Sequence, residues 1–253
     1  MSLEGRVVVV TGSTTGIGKA IAKRCVAENG RVLVHGRDAD RGHALANELG
    51  EQAVFHQDEL TDPASAGRIV EAALESFGRI DAIVNNAAWV VRSDLESTDV
   101  EMFDRIMAIN VRAPLLLIQA ALPHLVESGG CVANVGSVNS LGGEGNLLAY
   151  SVSKGALLTM SKNLANALSE RRVRVFHFNV GWVLTENEYH YKMDDGFEPG
   201  WPDRLTTDDF PIGRMTMPEE VANVVTFLAS PAASLVTGIN LVADNGFTKR
   251  VQL

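Results

Sequence analysis

Cysteine is scarce in this chain: only Cys25 and Cys131 occur among 253 residues. Both lie in apolar-patterned stretches, which favours two buried, reduced thiols in a cytoplasmic protein. The cysteines and histidines show no cluster with the spacing of a metal site. The six histidines share no mutual pattern, and most are expected at strand ends or on the surface. The sequence therefore predicts neither a disulfide framework nor a metal centre.

Positive charge is also limited, with 22 Lys and Arg against 31 Asp and Glu and a net charge of −9. This balance argues against nucleic acid or an anionic membrane as a partner. Apolar runs stay well short of the ~20 residues that span a bilayer. The first residues lead straight into Val7–Val10, which leaves no room for a signal peptide. We therefore expect a cytoplasmic location.

Short β-rich runs alternate with helical patterns along the whole chain. This alternation predicts an α/β fold, a doubly wound parallel sheet of about seven strands with helices on both faces. Because linkers, repeats and low-complexity tracts are lacking, residues 1–253 are expected to form one domain. The predicted strands are 7–10, 31–35, 53–56, 80–84, 132–135, 173–178 and 239–242. The main predicted helices are 39–49, one opened by Pro63, 100–127, about 150–170 and 219–229.

Residues about 182–217 break this rhythm. They hold three of the eight prolines, two of the three tyrosines and two of the three tryptophans. A long irregular segment within a compact domain is usually a functional lid or a disordered loop. We expect a lid over the substrate.

The first predicted strand runs into a glycine-rich turn that precedes a helix. Glycines there let the backbone approach a pyrophosphate, and the helix N-terminus supplies N–H donors and the positive end of a dipole. The spacing is G-x-x-x-G-x-G rather than the commoner G-x-G-x-x-G. The turn therefore predicts a dinucleotide site at Gly12, Ser13, Thr14, Gly16, Ile17 and Gly18.

Tyr150 and Lys154 lie four residues apart on a predicted helix and so share one face. An ammonium beside a phenol favours the phenolate. Tyr150 is therefore expected to exchange a proton near neutral pH, well below the ~10 of a free tyrosine. Ser137 stands thirteen residues before the tyrosine.

Further motifs complete the pattern. Asn85-Asn86-Ala87-Ala88 follows the fourth predicted strand, and Asn110 lies in the next helix. Together with the glycine turn, Ser137, Tyr150 and Lys154, these motifs resemble the short-chain dehydrogenase/reductase family in its shorter form. The resemblance covers essentially the whole chain and implies a Rossmann-type fold.

The resemblance also implies roles. Tyr150 would be the acid/base, Ser137 would bond the substrate oxygen, and Lys154 would lower the tyrosine pKa and bond the nicotinamide ribose. Asn110 would continue a proton relay through a water. Pro114 supports that role, since it has no N–H for the Asn110 carbonyl and predicts a local kink. Implied cofactor contacts beyond the glycine turn are Glu59, Leu60, Asn86, Ala87, Tyr150, Lys154, Gly181, Val183 and Thr185.

Some positions depart from the family pattern. Ala88 and Val180 replace a usual glycine and proline, and Phe176 stands where asparagine is common. Glu59-Leu60 replaces the usual Asp-Val adenine contact. The contact at Gly181 and Thr185 keeps its spacing.

The choice between NAD and NADP depends on the end of the second strand. An acidic residue there would bond the free ribose hydroxyls and repel a 2′-phosphate. Here Gly36 is followed by Arg37, whose guanidinium suits a phosphate. NADP(H) is therefore favoured, with NAD(H) the alternative if Arg37 is only a solvated residue paired with Asp38 or Asp40.

The substrate is expected to be small and polar, such as a sugar, sugar acid or polyol. The predicted loop before Tyr150 carries Asn139 and Glu144, and Trp182 opens the lid. Buried polar groups need partners that a polyhydroxylated ligand supplies. Together with Ser137 and Tyr150, these residues form the predicted substrate site. Polar side chains facing solvent are the alternative.

The sequence therefore predicts an NAD(P)(H)-dependent enzyme that interconverts a secondary alcohol and a ketone. A 3-oxoacyl-carrier-protein reductase or other carbonyl reductase is the main alternative, and a non-catalytic cofactor-binding protein a remote one. Relatives of this length imply a homotetramer, or a homodimer. The stripe Leu157, Met160, Leu164 and Leu168 is compatible with a subunit interface and equally with the core.

Overall fold

A computed structural model describes residues 2–246, so the predicted domain limits at 1 and 253 lie outside the described part of the chain. In that described part, seven strands form one sheet in the order β3-β2-β1-β4-β5-β6-β7, and every neighbouring pair is parallel. The predicted fold class is confirmed. The strands are β1 (Val7–Val10), β2 (Arg31–Gly36), β3 (Ala53–Gln57), β4 (Ala82–Asn85), β5 (Cys131–Ser137), β6 (Arg174–Val180) and β7 (Asn240–Ala243).

Within residues 2–246, eight α-helices connect the strands. They are α1 (Gly16–Ala27), α2 (Ala39–Leu49), α3 (Ser65–Phe77), α4 (Val100–Met107), α5 (Ala113–Ser128), α6 (Leu148–Leu168), α7 (Glu186–Asp194) and α8 (Pro218–Ala229). Side-chain caps begin several of them: Asp38 accepts from the Arg41 N–H, and Asp99 accepts from the Met102 N–H.

Both faces of the sheet are buried. Val8 and Val10 of β1 point into one apolar cluster with α1 and α8, whereas Val9 points into a second cluster with α3 and α5. This alternation along one strand explains why β1 is apolar at every position. In the predicted stripe on α6, Leu157 and Leu168 are buried within the chain. The stripe therefore serves mainly the internal core.

The predicted helix 100–127 is interrupted by a π-helical turn at Ala108–Arg112. There the Ala113 N–H bonds the Ala108 carbonyl, five residues back, rather than the carbonyl of Ile109. Pro114 cannot donate to the Asn110 carbonyl, and a wider turn accommodates that missing bond. The interruption places Asn110 at the widened turn.

The helical segment 100–128 is also long and apolar enough to cross a membrane by length and composition. Its apolar run is nevertheless interrupted by polar residues such as Asn110, Arg112 and Gln119. Half of that window is buried against the rest of the fold, as in a core helix.

The lid is more ordered than the sequence predicts. It contains α7 and a short 3₁₀ turn at Trp201–Arg204. Trp201, Phe210 and Met215 are buried together, and Tyr189 stacks on Trp201 with ring centroids 6.0 Å apart. A small aromatic core therefore holds the segment together.

Asp81, directly before β4, is fully buried and accepts the Val7 N–H at 2.9 Å and a bidentate bond from Arg79. Asp81→Asn would leave these donors poorly matched, so we expect a loss of about 2–4 kcal/mol in the free energy of unfolding. Urea denaturation measures it. Asp62→Asn, at a half-exposed aspartate that pairs with Arg68, is the control. Equal stabilities of the two variants would contradict this account.

Candidate active site

A cleft of ≈ 320 Å³ opens at the carboxyl ends of β1, β2 and β4. Because β1 lies between β2 and β4, the chain leaves the sheet in opposite directions on its two sides, which opens a crevice there. Ten predicted cofactor residues line it, namely Gly12, Thr14, Gly16, Ile17, Arg37, Glu59, Leu60, Asn86, Ala87 and Thr185. Residues that the sequence did not predict as contacts also line it, namely Thr15, His35, Gly36, Asp58, Ala88, Trp89, Ile109 and Asn187.

The glycine turn brings the N-terminus of α1 to this cleft. Gly12 has φ +62° and Gly16 has φ +52°, which only glycine adopts readily. A Cβ on Gly18 would lie 2.3 Å from the Gly12 carbonyl oxygen, so this glycine permits close packing rather than lining the cleft. Within the described residues, no side chain caps α1, and its first turn holds no acidic residue. Uncapped N–H groups fit a pyrophosphate.

Ser13 serves the sheet rather than the cleft. Its hydroxyl donates to the Val10 carbonyl at 2.7 Å and accepts the His35 N–H at 2.9 Å. The His35 ring in turn accepts the Gly12 N–H at Nδ1, at 3.3 Å. Burial lowers the pKa of His35 to about 4, which keeps Nδ1 free to accept. His35 therefore supports the glycine turn, a role that its place in an apolar run did not reveal.

Arg37 lies at the mouth of the cleft. Its guanidinium pairs with Glu59 at 3.2 Å, not with Asp38 or Asp40, and both side chains are largely exposed. Gly36 leaves room for Thr14, since a Cβ there would lie 2.6 Å from the threonine Cγ2. Arg37 and Glu59, both predicted cofactor residues, therefore contact each other at the mouth of the cleft.

Ser137, Tyr150 and Lys154 meet beside the cleft, where β5 ends and α6 begins. Lys154 is buried, and its Nζ donates to the Val135 carbonyl at 2.8 Å. Its Nζ also lies 5.7 Å from the Tyr150 ring centroid. The three predicted side chains are thus brought together by one strand end and one helix.

The pKa of Tyr150 moves in the direction opposite to the expectation. Burial raises it to about 12, although a hydrogen bond with Ser137 works against the rise. Burial also lowers the pKa of Lys154 to about 8. The expected depression of the tyrosine pKa by Lys154 is therefore wrong here, because desolvation of the phenolate dominates. Lys154, rather than Tyr150, is therefore the group whose pKa lies closer to neutral pH.

Asn110 joins three elements. Its Oδ1 accepts the Trp89 N–H at 2.8 Å, and its Nδ2 donates to the Trp89 carbonyl and to the Ser153 hydroxyl. Ser153 donates to the Tyr150 carbonyl at 2.7 Å. The Asn110 side chain thus ties the turn after β4 to the first turns of α6. The free Asn110 carbonyl stays a prediction.

The segment after β6 returns to the cofactor end. Thr185 caps α7 by accepting the Glu188 N–H, and its methyl group would lie 3.2 Å from a Cβ on Gly16. Gly181 packs against Asp244, and Val183 is buried and bridged to Thr216, so neither lines the cleft in the described part of the chain.

The other predicted substrate residues, Asn139, Glu144 and Trp182, are less buried than Ser137. The Asn139 amide approaches the Glu144 carboxylate at 3.5 Å, and Glu144 is exposed. Trp182 packs beneath Lys192, whose Nζ is 4.4 Å from the ring centroid, and keeps 40% exposure. Their contact with a substrate stays a prediction. Within residues 2–246, no group of three or more His, Cys, Asp and Glu could hold a metal ion.

Comparison with known proteins identifies the family of this chain. Residues 12–248 match a family model described as enoyl-(acyl carrier protein) reductase. D-threitol dehydrogenase of Mycolicibacterium smegmatis is 33% identical, over 97% of this chain and 94% of that protein. The chain belongs to the short-chain dehydrogenase/reductase family. The resemblance seen in the sequence is therefore confirmed, as is its class of enzyme, an oxidoreductase.

Two solved structures of this family are similar to the chain. One is L-sorbose reductase from Gluconobacter frateurii complexed with NADPH and L-sorbose, at TM-score 0.92 and 28% identity over 98% of both chains. The other is a 3-ketoacyl-(acyl-carrier-protein) reductase from Brucella melitensis complexed with NADH. It has TM-score 0.86 and 31% identity, over 98% of this chain and 100% of the other.

Proposed function

We propose that this single-domain chain is an NAD(P)(H)-dependent oxidoreductase that interconverts a secondary alcohol and a ketone. One observation carries the proposal. Ser137, Tyr150 and Lys154 converge at the sheet edge that also holds the N-terminus of α1 and a cleft of ≈ 320 Å³ lined by the glycine turn. A bound nicotinamide would accept or donate the hydride at the substrate carbon. The protein must then handle a proton at the substrate oxygen.

On reduction, Tyr150, which its raised pKa keeps protonated, would give its hydroxyl proton to the substrate oxygen, and on oxidation its phenolate form would take that proton back. Ser137, already hydrogen-bonded to Tyr150, would donate to the same substrate oxygen and orient it. Lys154 has a pKa of about 8, which suits a group that passes protons on near neutral pH. Asn110 would hold the turn of α6 that carries both residues through Ser153.

The first test removes the proton donor. Tyr150→Phe keeps the ring and its packing, so turnover should fall by at least ~10²–10⁴ while cofactor affinity barely changes. Steady-state rates and fluorescence titration of the cofactor measure both. Tyr189→Phe, in the lid, is the matched control and should keep wild-type turnover. If Tyr150→Phe keeps a tenth of wild-type turnover, Tyr150 is not the proton donor. If the wild type binds the cofactor but turns over no substrate, the chain is a non-catalytic binding protein.

NADP(H) is the proposed preferred cofactor, with NAD(H) also accepted. Arg37 supplies a cation at the ribose end, but Glu59 occupies its guanidinium and would repel a 2′-phosphate. A phosphate must therefore displace or share that pair. The two similar structures are complexed with NADPH and NADH respectively, which fits a site that admits either.

Arg37→Ala should weaken NADPH binding by about tenfold and leave NADH nearly unchanged, because solvent screens an exposed guanidinium. Glu59→Gln should have the opposite sign and tighten NADPH. Titration of intrinsic fluorescence measures each dissociation constant, with Arg41→Ala on α2 as the control. Equal losses for both cofactors in Arg37→Ala would show that Arg37 does not distinguish them.

The proposed substrate is a small polyol, sugar or sugar acid. Glu188 on α7 supports this choice: burial raises the pKa of its carboxyl group, and Lys192, Arg92, Asp195 and Glu144 are close enough to act on it. Arg92 donates to Asp195 at 2.5 Å, which joins the lid to the loop after β4. The next residue of that loop, Ser93, is bridged to Leu147. Charged side chains of the lid and of the loop after β4 therefore lie close together, and the hydroxyl groups of a substrate would find partners among them.

Glu188→Gln should lower kcat/KM for polyols about tenfold, chiefly through KM, and leave a simple secondary alcohol unaffected. Glu186→Gln, at an exposed position on the same helix, is the control. Rates across polyols, sugars, sugar acids, aliphatic ketones and steroids measure the preference. A medium-chain aliphatic or steroid ketone that exceeds every polyol and sugar tenfold in kcat/KM would contradict a polar substrate.

Reduction of a 3-oxoacyl group on a carrier protein is the second candidate. The similarity to a 3-ketoacyl-(acyl-carrier-protein) reductase favours it, and Arg171 and Arg172 form an exposed basic pair that would suit an acidic carrier. The same substrate panel, extended by a 3-oxoacyl thioester, separates the two.

We further propose that the protein is cytoplasmic and forms a homotetramer or homodimer. Val100 on α4 and Val152 on α6 remain exposed, which supports a subunit interface there.

A further inference from the structure

A chain of buried polar side chains crosses the sheet behind the candidate active site. It joins β4, β5, β6, β7 and α6 through contacts of 2.8–3.0 Å. A branch at Asn179 reaches Ser140, whose hydroxyl donates to the Asn179 Oδ1 at 2.9 Å. The members in spatial order are Asn85, Asn134, Ser161, His177, Asn179 and Asn240.

His177 and Asn179 lie over a gap that Gly136 provides. Both point to the same face of β6, and Asn179 is the register partner of Gly136. A Cβ on Gly136 would lie 2.1 Å from the His177 Nε2 and 2.3 Å from the Asn179 Oδ1. The two side chains therefore lie against the backbone that leads directly into Ser137. His177 is an exception to the expectation that most histidines lie at strand ends or on the surface, because it is 1% exposed within β6.

The contacts of Asn179 make the His177 Nε2 a hydrogen-bond donor. The Asn179 Nδ2 donates to Asn240, which leaves Oδ1 to accept from Ser140 and from the His177 Nε2–H. The Ser161 hydroxyl donates to the Leu157 carbonyl at 2.7 Å, and its oxygen lies 3.0 Å from the His177 Nδ1. Burial lowers the pKa of His177 to about 4, which maintains this arrangement at neutral pH.

The branch to Ser140 connects this network to the chemistry. Ser140 closes the short 3₁₀ turn Val138–Ser140 that follows Ser137. In the same turn, the Asn139 N–H donates to the Ser137 Oγ at 3.2 Å. Movement of Ser140 would therefore carry Asn139 with it and alter the direction of the Ser137 hydroxyl. A shift of about 1 Å at such a group costs up to ~10² in rate.

We propose that His177 and Asn179 are positioning residues that hold the turn after Ser137 by anchoring Ser140. The inference rests on the proposed role of Ser137 as the group that binds the substrate oxygen. It assigns a purpose to two polar residues in the middle of a buried strand, where apolar residues would fill the same space without a need for partners.

The test has one readout that does not depend on turnover. Hydrogen exchange of the Asn139 amide, followed by NMR, should become at least about fivefold faster in Ser140→Ala and in Asn179→Ala. Thr226→Val is the control, since it removes a buried hydroxyl that contacts Cys25 on the other side of the sheet. Unchanged Asn139 exchange in Ser140→Ala would overturn the inference.

Turnover supplies the second readout. Ser140→Ala, Asn179→Ala and His177→Leu should lower kcat about tenfold with cofactor affinity unchanged, and His177→Gln, which retains a donor, should recover most of it. In a Ser137→Ala background these changes should have no further effect on kcat. Undiminished kcat in Ser140→Ala, or full additivity with Ser137→Ala, would overturn the inference.

These readouts keep the two proposals separate. Ser140 lies in a partly exposed turn, so Ser140→Ala decides the matter even if a core variant fails to fold. If the wild type turns over no alcohol or ketone with either cofactor, the proposed function fails. Asn139 exchange still shows whether Asn179 and Ser140 hold the turn.

Discussion

Strand β1 lies between β2 and β4 in a fully parallel sheet, and every part of the candidate site depends on that position. Parallel strands present all their carboxyl ends at one edge, so the turns after β1, β2, β4, β5 and β6 are neighbours in space although they are far apart in sequence. The crevice that opens where the winding reverses holds the glycine turn and Asn86. The side chains assigned to the chemistry follow on β5 and α6.

This arrangement buries several titratable side chains. Lys154, His35 and His177 all lie inside the protein, and desolvation moves each of their pKa values toward the neutral form. The buried polar groups are accommodated by assigned partners: the Val135 carbonyl for Lys154, the Gly12 N–H for His35, and Asn179 for His177. At these three buried groups desolvation outweighs the hydrogen bonds.

The sequence predicted the sheet well because each strand is a short apolar run bounded by polar or glycine-containing segments. Predicted and observed limits agree to the residue for Val7–Val10 and differ by a few residues elsewhere. The sequence could not show that β6 extends through Asn179 and Val180, because a polar residue there reads as the end of a strand. Its hydrogen-bond partners come from distant segments, and no local pattern records them.

The features of the site also divide into those that follow from local sequence patterns and those that do not. Residues of the glycine turn and the Tyr150-x-x-x-Lys154 spacing are local patterns, and the structure brings them to one edge of the sheet. The Arg37–Glu59 pair, the support of Gly12 by His35 and the raised pKa of Tyr150 depend on tertiary contacts and burial. The lid core around Trp201 is similar, because aromatic residues spaced irregularly along the chain meet only after folding.

The central claim is that a substrate and a nicotinamide bound at this edge of the sheet exchange a hydride, while side chains of the protein handle only the proton. The direct measurement uses a polyol deuterated at its carbinol carbon, together with the oxidised cofactor, and locates the label by mass spectrometry. The account predicts one deuterium in the reduced nicotinamide for each ketone formed. Release of the deuterium into water, with none in the cofactor, would contradict it.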